Sequence, residues 1–153
     1  MSTSTHTTPE ELAAELLTFW HFLIKGGSKA LYALLDELDL SFSHVKTLHT
    51  LADLGEDVSV KELARHMGLS LPGASRVADA LHQRGYVDRR EDERDRRTKR
   101  LRITDAGRDV VDRIDTVRLA SLQDFTAALG QEQRDALGAA LASLPHPRTR
   151  SCT

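Results

Sequence analysis

Apolar residues recur at helical spacing almost from the start of the chain. Leu12, Leu16, Phe19, Leu23 and Ile24 lie on one stripe. Thr8, Pro9 and Glu11 stand where a helix cap, a first helical residue and the return arm of a capping box belong. Gly26 and Gly27 interrupt the stripe, and each costs about 1 kcal/mol relative to alanine inside a helix, so a kink or a close packing contact is expected there. Ala30, Leu31, Leu34 and Leu35 resume it. A helix of some 25 residues is about twice the usual length and projects beyond one core.

The pattern then shortens. After a break at 39–43, with Ser41 or Ser43 as cap, Val45, Leu48, Leu51, Ala52 and Leu54 mark a second helix that Gly55 stops. Ser59 and Glu62 form another capping box, opening a helix with Val60, Leu63, Ala64 and Met67 on one face. Gly68 ends it, and Ser70 caps the next helix, which turns Leu71, Ala74, Val77, Ala78 and Leu81 inward and stops at Gly85. Two short helices joined by a tight glycine turn make a helix-turn-helix. Period-two alternation follows at Tyr86–Arg90 and Lys99–Ile103, two strands of a hairpin whose tip is charged throughout. Thr104 caps a second long helix through Val110, Val111, Ile114, Val117, Leu119, Leu122, Phe125 and Leu129. Gly130 separates it from a last helix over residues 131–144.

The fold class is therefore mainly α with a small β-hairpin (α+β), in one domain. Residues 1–8 are expected to be disordered, 9–40 and 105–144 to form long flanking helices, 41–104 to form the helix-turn-helix with its hairpin, and 145–153 to be a flexible tail. No apolar run approaches the roughly 20 residues that span a bilayer, and the first residues lack a signal peptide's basic and apolar regions, so a cytoplasmic protein without membrane contact is expected. Cys152 is the only cysteine, which rules out an internal disulfide and a cysteine metal cluster.

Charge changes the picture of the middle. The net −2 divides into −4 over residues 1–55 (3 Lys and Arg, 7 Asp and Glu), +3 over 56–103 (12 and 9) and −1 over 104–153 (6 and 7). Between Arg84 and Arg102, nine cations face five carboxylates. A basic patch on a mildly acidic chain is the footprint of a polyanion partner. Ser70, Pro72, Gly73, Ser75, Arg76 and Asp79 occupy the outer face or exposed start of the second short helix. In a helix-turn-helix that segment enters the DNA major groove, where Arg76 can take a guanine bidentately. Arg90, Arg94, Asp95, Arg96, Arg97 and Lys99 form the hairpin's DNA-facing set. Asp95 holds the loop in shape and leaves an arginine to enter the minor groove. A helix-turn-helix followed by such a hairpin is a winged helix.

The segment from Glu62 to Val111 resembles the MarR family of bacterial transcriptional regulators. The most specific part is Asp-Glu-Arg-Asp-Arg-Arg at residues 92–97, similar to the family's wing motif, followed by the family-like Leu101–Gly107. The resemblance implies a homodimer whose interleaved terminal helices form a base with one winged helix at each lower corner. It implies that Arg94 is the minor-groove residue and that Ser70, Pro72, Ser75 and Arg76 read the major groove of double-stranded DNA. Pro72 and Gly73 depart from the family pattern at that helix start. The dimer also follows from the residues, because two long helices carry more apolar surface than one winged helix covers. Two-fold symmetry predicts half-sites about 10 bp apart.

The resemblance further implies an aromatic or lipophilic small-molecule effector, with Trp20, His21, Lys25, His44 and His49 of the first two helices as its candidate pocket. His44 and His49 are five residues apart, not the three or four that share a helix face, so no metal is assigned. No cofactor, nucleophile motif or phosphate loop is present, and no enzyme is expected. Cys152 lies in the tail without a cation to activate it and reads as an ordinary surface thiol. The expected function is a homodimeric repressor on a pseudo-palindromic operator. The rivals are an architectural or nonspecific DNA binder and a protein-interaction module without DNA binding.

Overall fold

Among the described residues, six helices and two of three short strands follow the local signals closely. The computed structural model describes residues 7–55, 57–91 and 99–145. In chain order these form α1 (Pro9–Glu37), α2 (Phe42–Leu54), β1 (Val58–Ser59), α3 (Val60–Met67), α4 (Leu71–Gln83), β2 (Val87–Glu91), β3 (Lys99–Ile103), α5 (Asp105–Ala128) and α6 (Gln131–Ser143). The expected disorder of 1–8 and the expected loose tail, including Cys152, fall largely outside the described residues.

Side-chain caps set the helix starts. Thr8 accepts from the Glu11 N–H while Glu11 reaches back to the Thr8 N–H. Ser59 and Glu62 repeat the arrangement on α3. Ser41 caps α2, Ser70 caps α4 and Thr104 caps α5. Each cap satisfies amide donors that the first helical turn leaves unpaired. α1 is one helix of 29 residues that continues through Gly26 and Gly27. The glycine cost of about 2 kcal/mol is offset by its capping box and by the packing of Leu31, Leu34 and Leu35 into the core.

One strand escapes sequence reading. β1 has only two residues, yet it pairs antiparallel with β3 (Val58 with Leu101, Ser59 with Arg100), and β3 pairs in turn with β2 (Val87 with Ile103). The hairpin is thus part of a three-stranded sheet in the order β1-β3-β2. β2 starts at Val87, one residue later than the alternation suggested. Beneath the sheet lies a core of Val45, Leu48, Leu51, Leu63, Leu81, Val87, Leu101 and Ile114. α5 enters it with Val110, Val111 and Ile114, and its start is tied to the turn after α4. There the Thr104 N–H donates to the Tyr86 carbonyl (3.1 Å) and the Thr104 hydroxyl to the Gly85 carbonyl (2.7 Å).

Among the described residues, the outer parts of the long helices have no such partner. Leu12, Leu16, Leu17 and Trp20 of α1 are 51–60% exposed, and α6 buries no residue at all. Phe19, Phe22 and Phe125 cluster with ring centroids 5.3–6.3 Å apart.

Candidate nucleic-acid interface

The turn between α3 and α4 presents the start of α4 to solvent. Gly68 closes α3 with φ +66°, a left-handed conformation that is strained for a residue with a Cβ. Ser70 then accepts the Gly73 N–H (3.2 Å), with Pro72 in the first turn where its missing donor costs nothing. Gly73 leaves little room beside it, since a Cβ there would lie 3.1 Å from Ser70 Oγ. Ser70, Pro72 and Arg76 are exposed and Ser75 is half-buried. Arg76 forms no ion pair with any described residue.

One position differs from expectation, and another has an added partner. Leu71, expected to point inward, is 55% exposed. At the first helical position it lies a turn ahead of the buried Ala74 and Ala78, where the core no longer reaches it. Asp79, expected on the DNA-facing surface, pairs with Arg89 of β2, and its Oδ2 is 3.5 Å from the Ser75 hydroxyl. The periodicity of α4 places Asp79 correctly on the outer side, but only the packing of β2 against α4 brings Arg89 to it.

Of the wing residues, Arg90 is exposed opposite Arg100 and Lys99 pairs with Glu91 at 2.8 Å. Arg94, Asp95, Arg96 and Arg97 lie outside the described residues. Arg100 bonds the Asp57 carbonyl (3.0 Å) and approaches Glu62 (3.5 Å), tying the wing root to the start of α3. Hydrogen bonds from Ser59 hold the Glu62 carboxyl below its ordinary pKa, helped by Arg100 and Arg65. Between α3, α4 and the wing root runs an open groove of about 680 Å³ with Leu71 and Ser75 at α4 and Lys61, Arg65, Arg89 and Lys99 along its sides. Sequence order separates these cations by up to 38 positions, yet the fold gathers them on the side that carries the start of α4.

A second groove, about 1400 Å³, opens among α1, α2 and α5. Trp20 lines it, together with Leu23, Tyr32, Phe42, Leu122 and Arg118. His21, Lys25, His44 and His49, named with Trp20 as a candidate pocket, are not among its lining residues. His44 belongs to the α2 cap, its Nδ1 accepting the Ser41 N–H at 3.1 Å. Burial, and then the Arg84 charge, push its pKa below the ordinary value. His49 sits 3.6 Å from Asp115 and 3.4 Å from Arg118. Arg118 is the cation that sequence reading missed. It stands in the i, i+4, i+8 row of Ile114 and Leu122, and a lone arginine on an apolar helical row was the available signal. Asp39, also at this groove, bonds Arg84 at the end of α4 (2.5 Å). Among the described residues no three metal-ligating side chains converge, and no helix is long and apolar enough to cross a membrane.

Residues 38–98 match the model of the MarR family. Most of the chain is similar in fold to several solved structures. RV1404 from Mycobacterium tuberculosis superposes with a TM-score of 0.78 at 20% identity, over 93% of this chain and 95% of that one. A MarR family protein from Bacillus stearothermophilus gives 0.69 at 20% identity, over 88% and 94%. A variant of MepR from S. aureus, bound to an oligodeoxyribonucleotide, gives 0.67 at 19% identity, over 83% and 93%.

Proposed function

We propose that the chain, whose residues 38–98 match the model of the MarR family, is a transcription regulator of that family and a homodimeric repressor that binds a pseudo-palindromic operator in double-stranded DNA. The observation that carries this reading is the exposed start of α4, with Arg76 unpaired among the described residues, beside a groove lined by Lys61, Arg65, Arg89 and Lys99. The similar MepR variant is itself bound to an oligodeoxyribonucleotide.

In this reading α4 enters the major groove by its N-terminal turn. Positive partial charge at that helix end favours phosphate nearby. Ser70 and Ser75 offer hydroxyls, Pro72 and Gly73 keep the helix start slim, and Arg76 reaches the O6 and N7 of guanine. The exposed Leu71 adds an apolar surface suited to a thymine methyl. Arg90, Arg94, Arg96, Arg97 and Lys99 of the wing follow the phosphates and the adjoining minor groove. Repression follows from occupying the site that RNA polymerase needs.

Selection of bound fragments from a genomic library, followed by titration, tests the reading. A palindromic consensus with half-sites about one helical turn apart is expected, with log affinity falling by about 0.9 per phosphate contact for each unit of log salt. Equal affinity for random duplex would leave an architectural binder instead. Arg76→Ala is expected to weaken operator binding about 10- to 100-fold, the size of one lost bidentate base contact. Unchanged affinity would remove Arg76 from the readout.

The groove between α1, α2 and α5 supports an effector site for a small aromatic acid, with Trp20 as an apolar wall and Arg118 as the carboxylate partner. Titration calorimetry with salicylate should show binding that lowers operator affinity and that Arg118→Ala abolishes. Absence of heat, or binding without effect on DNA, would discard the site.

A further inference from the structure

A carboxylate on a helix that enters a DNA groove is repelled by phosphate unless a cation neutralises it. Asp79 lies one turn after Ser75 and three residues after Arg76 on the outer side of α4. Its carboxylate is paired with the Arg89 guanidinium, and the Ser75 hydroxyl stands 3.5 Å from the same group. The Arg89 side chain is 22% exposed and that of Asp79 46%, so the pair is partly shielded from water.

Topology makes this pair matter to the wing. In the order β1-β3-β2 the inner strand β3 is held on both sides, and Arg100 adds its bonds to Asp57 and Glu62. β2 is the outer strand and, among the described residues, pairs with β3 alone in the sheet. Val87 anchors the beginning of β2 in the core, and Arg89, two residues on, lies on the same face of the strand. The Arg89–Asp79 pair is thus the polar link that carries the outer strand's attachment to α4 one step further toward the tip. With β3 held at the wing root, Val87, whose carbonyl is 2.8 Å from His82 Nδ1, fixes the start of β2, and Arg89 extends that hold toward the tip and keeps the strand's angle to α4.

We infer that Asp79 is a positioning residue: through Arg89 it sets the wing at a fixed angle to α4 and makes no DNA contact of its own. This rests on the DNA-binding reading of α4 and the wing. A fixed angle lets one protomer engage a major groove and the neighbouring minor groove together, with the ordering cost met in the free protein.

Asp79→Asn in the full chain gives opposite signs for the two roles. Loss of an unneutralised carboxylate near phosphate would tighten DNA binding. Loss of positioning is expected to weaken it about tenfold, within the range of coupling between residues of one ion-pair network. Hydroxyl-radical protection should disappear from the flanking minor grooves and persist across the major-groove half-sites. The charge-swapped double variant Asp79→Arg, Arg89→Asp should regain the flanking protection. Affinity equal to or tighter than the wild type, or a loss of protection spread evenly over both grooves, overturns the inference. Should Asp79→Asn fail to fold, the swapped variant decides: flanking protection supports the inference, and a folded protein without it overturns it. A wild-type chain that binds no duplex fails at the earlier step, the DNA-binding reading, and takes this inference with it; a wild-type footprint left intact by Asp79→Asn defeats the inference alone.

Discussion

Gly107→Ala is expected to destabilise the fold by about 3 kcal/mol and to lower the melting midpoint by about 10 °C. Inside a helix, glycine to alanine ordinarily gains up to about 1 kcal/mol, so the expected sign is reversed, and close packing is the cause. Gly107 is buried in the first turn of α5, where an added Cβ would stand 2.2 Å from the Tyr86 carbonyl oxygen and 2.8 Å from Ile103 Cγ1. The first of these is backbone and cannot rotate away. It also accepts the Thr104 N–H, while the Thr104 hydroxyl caps the Gly107 N–H at 3.1 Å and donates to Gly85. Relief therefore requires α5 to lift from the turn after α4 and to lose its cap. Because that turn joins α4 to β2, the proposed DNA-binding elements, the variant should also show weaker DNA binding at temperatures where it is still folded. Urea or thermal unfolding measures the first effect, and a midpoint at or above the wild type would show that the approach of α5 to Tyr86 is looser than described.

Leu16→Glu is expected to turn the proposed dimer into monomers and to reduce operator affinity by about a thousandfold. Leu16 is 58% exposed on the single chain, in a row with Leu12 and Trp20, and Leu141 of α6 and Leu144 just after it are similarly exposed at 51% and 57%. Burying one leucine contributes about 2 kcal/mol, and two-fold symmetry repeats the loss in the partner, so about 4 kcal/mol, or a factor of 10³, leaves the association constant before the new carboxylates are considered. Operator affinity falls with it, because each monomer then binds its half-site without the other's help. Sedimentation at micromolar concentration should show a dimer for the wild type and a monomer for the variant. Circular dichroism should still show the winged helix, whose core of Leu48, Leu63, Leu81 and Leu101 does not include Leu16. A variant that stays dimeric with full affinity would place the interface elsewhere.

Helix starts, the glycine turn at Gly68 and the two hairpin strands were legible in the residues because their causes are local. A cap joins residue i to i+3, and a helical stripe or a strand alternation repeats within a few positions. Thr8 with Glu11, Ser59 with Glu62, Ser70 and Thr104 each act within one turn of where they stand. Read alone, then, the chain determined the order and kind of nearly all its elements, the basic centre and the outward face of α4.

Tertiary structure decided what depends on partners distant in the chain. β1 is two residues long and carries no periodicity, so it exists only because β3 offers it an edge. Leu71 satisfies the helical stripe but lies beyond the end of the core that would cover it. Arg118 becomes a wall of the second groove only when α5 lies across α1 and α2. Asp79 reads as an outward acid until β2 brings Arg89 against it, ten positions along the chain. In each case the deciding quantity is which atoms meet after packing. Sequence spacing encodes contacts within a turn or across a hairpin, while meetings between elements are set by the core that draws those elements together.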